Sequence, residues 1–392
     1  MPDKTATPVV PFTSPPTGGS AHPVAISLFS GGGGLDIGIE QAGFATLACV
    51  EIDAHCCETL RHNRPRYFRH AEVIHASVRD IDVGQLMEDN GLQPGDLDLL
   101  CGGPPCQTFS QIGQRQGLSD ERGLLLFELV RFARHLRPKA ILIENVKALL
   151  TASDLSGKRG GVLQKLLHDL RELGYELHVN VLNTADFGVP QVRQRALVIG
   201  VPEGSGYEFP LPSHAPDAGT PYTTVEDALS GLGSPASRDE RDRPDNHVDV
   251  TPAGDVRRIH YVPEGRYLAA AENAPADIKG RLTKKDTTKF LRVHRKQQAK
   301  TLRCGEIFFH PTEDRYLTPR EYMRLHQFPD DYELQGPIRG RSGSVKNLDQ
   351  HRQVANSVPP PLGRVVAQSI LKSLQRAGEM SWKEEAAIAT ER

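Results

Sequence analysis

The chain has 392 residues, a formal net charge of −2, 24% charged and 38% hydrophobic residues. That length suits one large domain plus a smaller one. No apolar run reaches the roughly 18 residues of a membrane span, and no basic start followed by an apolar core marks a secretory signal. Six cysteines, with Cys56 and Cys57 adjacent and no C-x-x-C pair, fit neither a disulfide framework nor a zinc site, so a reducing, cytoplasmic setting and no metal are expected.

Residues 1–23 carry six prolines among Thr, Ser and Gly. They hold too little apolar side chain to offset their ordering entropy and read as a disordered tail. Val24 to Ser30 then reads as a buried strand running into Gly31-Gly32-Gly33-Gly34 and a helix from Leu35 to Ala42. Strand, glycine turn and helix open a nucleotide-binding α/β unit, whose glycines let backbone amides approach a ligand at the helix N-terminus. No register of these glycines completes G-x-G-x-x-G, which weakens a dinucleotide-dependent dehydrogenase. Thr46 to Ile52 forms a second strand ending on Glu51, twenty residues after Gly31, where such units keep an acid for ribose hydroxyls. A helix over Ala54 to Asn63 and a strand over Glu72 to Ser77 follow, and Asp80 is placed to meet an adenine amine.

Leu97 to Cys101 is a fourth strand, broken by Gly102-Gly103-Pro104-Pro105, with Cys106 next. Two prolines make that turn stiff. It delivers Cys106 to the carboxyl edge of the sheet, where open α/β sheets bind ligands. A thiol held there is a candidate nucleophile; the competing reading is a small buried core cysteine. The polar stretch Gln111 to Gly123 has the length of a lid or binding loop. A helix spans Leu124 to Leu136. A fifth strand spans Pro138 to Val146, apolar until Glu144, an acid whose burial is costly unless it has a role. Gly160 to Leu173 is helical, Tyr175 to Leu182 and Ala196 to Val201 extended. Before the last strand, Gln191, Arg193 and Arg195 alternate and so share one face, suited to a polyanion or a pyrimidine edge.

From Pro202 to about Ala299 the α/β rhythm stops and Pro, Gly, Asp and Arg dominate, as in a separate, smaller domain of irregular structure. Its end is basic: Arg281, Lys284, Lys285, Lys289, Arg292, Arg295, Lys296, Lys300 and Arg303 stand against Asp286 alone. In a chain of net charge −2 this run reads as a phosphate-binding surface. Thr318 caps a helix that has Pro319 at its first position, and a final helix runs to about Leu374.

A thiol, a carboxylic acid and a guanidinium beside an adenosine site suit methylation of cytosine at carbon 5. Thiolate addition to carbon 6 makes carbon 5 nucleophilic, an acid at ring nitrogen 3 eases that addition, and an Arg holds the exocyclic oxygen. The ordered blocks Phe29 to Leu35, Glu51-Ile52, Asp80-Ile81, Gly103 to Gln107, Glu144 to Val146, Gln191 to Arg195, Leu317 to Glu321, and Gln353 with Asn356-Ser357 resemble the DNA (cytosine-5)-methyltransferases. The resemblance spans Val24 to Val201 and Arg303 to Leu374. It departs at Arg79 and Ala355, where the family usually has Gly.

The resemblance implies an S-adenosylmethionine-dependent, Rossmann-like α/β fold, a doubly wound, mostly parallel sheet with a second, smaller irregular domain. It implies the catalytic and cofactor-binding domain at 24–201, target recognition at 202–302, a return to the catalytic domain at 303–376, and a tail at 377–392. It implies Cys106 as nucleophile, Glu144 at ring nitrogen 3, and Arg195 on the base with Arg193 in support. S-adenosylmethionine would be lined by Phe29, Gly31, Gly34, Glu51, Ile52, Asp80, Pro105, Leu125 and Asn356. Duplex DNA would meet Gln107, Ser110, Gln191, Arg292, Arg295 and Lys296, under a loop, Gln107 to Gly123, that closes over it. The expected protein is a monomeric bacterial enzyme of the cytoplasm, bound to DNA and not to membrane, with a separate restriction endonuclease as its counterpart. Rival readings are the same chemistry on tRNA, a binding protein that has lost catalysis, and the dehydrogenase.

Overall fold

The computed structural model describes residues 22–105, 125–154, 156–215, 219–237, 239–240, 245–279, 288–339 and 347–378. Cys106, Gln107, Ser110, the loop to Gly123, the N-terminal tail through residue 21 and the C-terminal tail from residue 379 lie outside the described residues.

Strands β1 (Val24–Leu28), β2 (Ala45–Glu51), β3 (Glu72–His75), β4 (Leu99–Gly102), β5 (Ala140–Val146), β6 (Tyr175–Asn183), β7 (Gln191–Val192), β8 (Gln194–Pro202) and β9 (Ala299–Lys300) account for the extended structure. All but β7 and β9 form one seven-stranded sheet in the order β3-β2-β1-β4-β5-β8-β6. The first five strands are parallel. Strand β8 runs antiparallel to both β5 and β6. The expected mostly parallel, doubly wound sheet is therefore observed. Its strand order reverses between β1 and β4, which opens a crevice beyond their carboxyl ends.

Every residue of β1, β2 and β4 is buried, as continuous Val/Ile/Leu runs require when helices cover both faces. On one face Ile26, Leu28, Leu100 and Ile143 pack on α3 (Val83–Asp89), α4 (Leu125–Leu136) and α5 (Gly161–Arg171). On the other, Ala25, Leu99, Leu142 and Ile199 meet α1 (Gly34–Gln41) and the C-terminal helix, Pro360–Arg376. Helix α1 and that helix touch through Gly38, where a Cβ would lie 2.5 Å from the Pro360 carbonyl oxygen. The chain end thus completes the domain begun at Val24. Helix α2 (Ala54–Tyr67) outruns its expected end at Asn63 and continues through Pro65.

Beyond β8 the expected irregularity is present: α6 (Val225–Leu229), α7 (Ala253–His260) and α8 (Ala276–Lys279) are short. The expected boundary at 302 is not a gap in the packing. Phe309 and Tyr316 complete a small core with Ile259, Val262 and Leu268. Val225, Leu291, Val293 and Leu302 share a second core with Leu60 and Phe68 of the α2 region and with Tyr322 and Tyr332. Thr318 caps α9 (Pro319–His326) with a reciprocal bond from Glu321, as its sequence predicts. Helix α10 (Gln350–Asn356) had no expectation attached, and α11 is the C-terminal helix, Pro360–Arg376.

At the end of α1, Glu40 Oε1 accepts from the Thr46 backbone N–H at 2.8 Å. Burial lifts its carboxyl to about 8, against the pull of that N–H. The unfolded chain releases this proton near the usual Glu value of about 4.3, so folding takes up a proton between the two values and stability falls as pH rises through that window. Glu40→Gln is expected to remove the fall. Urea midpoints of variant and wild type should nearly coincide below pH ~4 and separate in the variant's favour toward pH ~8. Parallel pH profiles would place the titration elsewhere.

Candidate active site

The turn after β1 is a backbone nest. Phe29 (φ 59°), Gly31 (φ 55°) and Gly33 (φ 82°) are left-handed, alternating with residues of negative φ, a pattern that turns successive N–H groups toward an anion. The anion is the chain's own. Glu51, at the carboxyl end of β2, accepts at Oε2 from Gly31 N–H at 2.7 Å. Its Oε1 accepts from Ile52 and Asp53 N–H, each at 2.8 Å. Burial raises the Glu51 pKa and these bonds oppose the rise.

The four glycines have different reasons. Alanine at 34 would drive its Cβ to 2.2 Å from the Val358 carbonyl oxygen, and a Cβ at 33 would meet the Tyr332 hydroxyl. A Cβ at 32 would press on Ser357, whereas one at 31 meets only its own turn at 4.0 Å. Gly31 therefore faces open space, where a ligand has room. Beside it, Ile52 is 66% exposed, a large apolar side chain left uncovered. Asp80 is exposed on the one-turn helix Val78–Asp80. That turn is pinned by Arg131 of α4, which donates to the carbonyls of Val78 and Ile81. Phe29 and Leu125 pack partly buried on the core, and Pro105 is exposed.

Asn356 is exposed at the end of α10, and Ser357 beside it packs on Gly32. The sheet ends thus gather a carboxylate with lone-pair capacity left over, an open glycine and an uncovered apolar side chain. This set fits an adenosyl group. Among the described residues no cluster of acids, His and Cys is arranged for a metal ion, and no helix is long and apolar enough to cross a membrane.

The second half of the site lies where β4 and β5 end. Glu144 and Arg195 are both buried, and Arg195 Nε donates to Glu144 Oε1 at 2.6 Å. The pairing of β5 with β8 sets Val146 opposite Arg195, which brings the two side chains together. A Cβ on Gly103 would come within 3.0 Å of Glu144 Oε2. Asn145 Nδ2 donates to the Pro104 carbonyl at 3.1 Å. The segment leading to Cys106 is therefore held against the Glu144 end of β5. Asn145 was not singled out in advance; a polar residue inside an apolar strand was the available signal.

Two expectations need correcting. Gln191, Arg193 and Arg195 do share a face, but it is the inner one. Gln191 is 0% exposed; it donates to the Leu325 carbonyl and to His326 Nδ1 and accepts from Leu302 N–H. In this conformation Gln191 meets protein and not nucleic acid. Arg193, 2% exposed, donates from Nη2 to the carbonyls of Ala355 and Ser357. Burial, then repulsion by Arg195, lowers it to about 9.

The basic run is the second correction, because folding brings acids to it from elsewhere. Arg292 is buried and bonds to Asp314 and to the Ile259 carbonyl. Arg295 pairs with Glu264 at 3.4 Å, and Arg303 with Glu306 at 3.8 Å. Lys296 and Lys300 remain exposed. Arg281, Lys284 and Lys285 lie outside the described residues. Arg292 is thus a strut of the second lobe.

This architecture, a cofactor-type glycine turn facing a buried acid–arginine pair at one sheet edge, defines an α/β methyltransferase-like site. The sequence matches the C-5 cytosine-specific DNA methylase family over residues 24–372, and the chain belongs to that family; it is a DNA cytosine-5-methyltransferase. It is 33% identical over 362 residues to the type II methyltransferase M.NgoFVII of Neisseria gonorrhoeae, spanning 90% of this chain and 87% of that one. It is 33% identical to M.PspPI of a Psychrobacter species, over 90% and 80% of the two chains. Among solved structures, a candidate DNA modification methyltransferase encoded in an E. coli prophage has the same fold, with a TM-score of 0.67, 22% identity and coverage of 90% of this chain and 99% of that one. The methyltransferase EhMeth of Entamoeba histolytica shares it at a TM-score of 0.56 and 17% identity, over 91% and 99%.

Removing one partner of a buried ion pair strands the other, at a cost of about 3–5 kcal/mol. Arg195→Met is expected to lower unfolding free energy by about 3 kcal/mol, and the double variant Glu144→Ala/Arg195→Met by less than the sum of the single changes. Denaturant titrations of the four proteins check this; additive losses would mean that the pair contributes no coupling.

Proposed function

We propose that this chain transfers a methyl group from S-adenosylmethionine to carbon 5 of a cytosine in a specific duplex DNA sequence, through a covalent bond to Cys106. The observation that carries the reading is the buried Glu144–Arg195 pair. It lies beside the Gly103-Pro104-Pro105 segment and at the same sheet edge as the open face of Gly31. The cytosine must leave the duplex to reach that edge, at a cost of a few kcal/mol. Cys106, as thiolate, adds to carbon 6. Glu144, taking a proton from solvent onto Oε2 as the base enters while Oε1 keeps Arg195, then donates a hydrogen bond to ring nitrogen 3 and stabilises the charge that the addition places on the ring. Arg195, held by Glu144, presents its remaining N–H groups to the exocyclic oxygen.

S-adenosylmethionine, when bound, supplies an electrophilic methyl to carbon 5. Glu51 and Asp80 are suited to the ribose and the adenine amine, with Ile52 against the ring, and Phe29, Gly31, Gly34, Pro105, Leu125 and Asn356 complete the lining. Loss of the carbon 5 proton to base then allows elimination, which breaks the C–S bond and returns the thiol. Exposed Lys296 and Arg295, with Gln107 and Ser110 of the segment after Cys106, are assigned to DNA. The type II relatives support a modification role paired with a separate restriction endonuclease, the protein acting as a cytoplasmic monomer.

Labelled-methyl transfer to duplex DNA and to tRNA, each offered alone, separates this reading from its nearest rival. Incorporation into DNA with Cys106→Ser inactive but still binding duplex is expected. Full transfer by Cys106→Ser would remove the nucleophile, and incorporation into tRNA alone would move the substrate. Bisulfite sequencing of DNA from cells expressing the protein would give the target site.

A further inference from the structure

Asn356 is gripped from two sides by residues of other segments. The carbonyls immediately before and after it, of Ala355 and Ser357, accept from Arg193 Nη2 at 2.8 and 2.9 Å. Its side-chain Oδ1 accepts from the Cys304 thiol at 2.6 Å, and the Cys304 carbonyl accepts in turn from Arg352 of α10 at 3.3 Å. Locally the junction is held only on its α10 side, where Ser357 N–H and Oγ donate to the Gln353 carbonyl; α10 ends at Asn356, and α11 begins only at Pro360 after an extended Ser357.

The junction is also pressed on the glycine turn, since Ser357 Oγ lies 3.2 Å and the Val358 carbonyl oxygen 2.2 Å from where Cβ atoms on Gly32 and Gly34 would stand. The Arg193 guanidinium has no other hydrogen-bond partner among the described residues. Its Nε and Nη1 are buried without partners, and its neighbour Arg195, not Arg193, takes the Glu144 carboxylate. A guanidinium buried this deeply without its own carboxylate is expensive, and the carbonyls flanking Asn356 are what it holds.

We propose that Arg193 and Cys304 are positioning residues for Asn356, locking the cofactor side of the site to the strand that carries Arg195 and to the lobe that follows β9. The proposal rests on the reading of Asn356 as a cofactor-lining residue. It moves Arg193 from supporting the base to holding the cofactor loop, and gives a role to a thiol outside the reaction.

Calorimetric titration of S-adenosylmethionine into the full-length protein without DNA, beside duplex binding and steady-state kinetics, tests it. Arg193→Met should weaken S-adenosylmethionine about tenfold, as loss of charge-assisted bonds implies, raising its KM more than it lowers kcat, with duplex affinity unchanged. Arg193→Lys should fall between, and serves if the Met variant does not fold. Cys304→Ala should weaken S-adenosylmethionine about threefold and add nothing in an Asn356→Ala background, whereas mere stability losses would add.

Wild-type cofactor affinity in both Arg193 variants overturns the assignment of Arg193, and additive effects of Cys304→Ala and Asn356→Ala overturn that of Cys304. Arg193 variants with normal cofactor affinity and a lowered kcat would return Arg193 to the base. A wild-type protein that does not bind S-adenosylmethionine would overturn the methyltransferase reading together with this one.

Discussion

The site depends on a carboxylate that never leaves the protein. Glu51 closes β2 and gathers three backbone N–H groups, one from the turn after β1 and two from its own strand end. A buried carboxylate is unstable alone, but hydrogen bonds to a charged group contribute about 1.5–3 kcal/mol each. Three of them offset part of the desolvation that burial imposes, and the pKa stays above the usual carboxyl value. In exchange the carboxylate fixes the left-handed turn through Phe29, Gly31 and Gly33. That turn points the open face of Gly31 away from the sheet and sends Ile52 outward.

The rest of the chain serves to keep that turn in place. Tyr332 donates to the Gly32 carbonyl at 3.0 Å from nearly three hundred residues downstream. Gln353 of α10 accepts from Thr59 of α2 and donates to the Gln335 carbonyl, tying three distant segments behind the turn. The bidentate pair of Arg315 with Glu321, at 2.8 Å on each arm, fixes the start of α9 from within the core.

Much of this was legible in the sequence, for physical reasons. Strands β1, β2, β4 and β5 are mainly apolar, buried runs bounded by Gly, Pro or acid, and a doubly covered sheet demands that composition. The Thr318 cap is a local pattern with a local cause. What resisted reading was non-local. The alternation of Gln191, Arg193 and Arg195 gave a shared face but not its direction, because nothing in the segment shows that Leu325, His326 and the Ala355 to Ser357 stretch will close over it. The basic run was counted against Asp286 only, whereas Glu264 and Asp314 reach it through the fold and Glu306 stands just past its end. Cys304 offered no signal, since a lone thiol gains meaning only from its neighbour.

The balance of charge at the Glu144 edge bears on the chemistry. Arg193 and Arg195 point to the same side of one extended segment, and among the described residues one carboxylate, Glu144, is paired with them. Both guanidiniums act on His326, which is wholly buried, and together with burial they hold its pKa well below the usual histidine value. The imidazole is therefore neutral and adds no further charge. Its Nδ1 lies 3.1 Å from the amide nitrogen of Gln191, whose amide oxygen is engaged by Leu302 N–H. Among the described residues, two guanidiniums beside one carboxylate leave a local surplus of positive charge near Glu144. Under the mechanism proposed above, such a surplus would favour the anions that form beside it: the attacking thiolate, and the electron-rich ring that its addition creates.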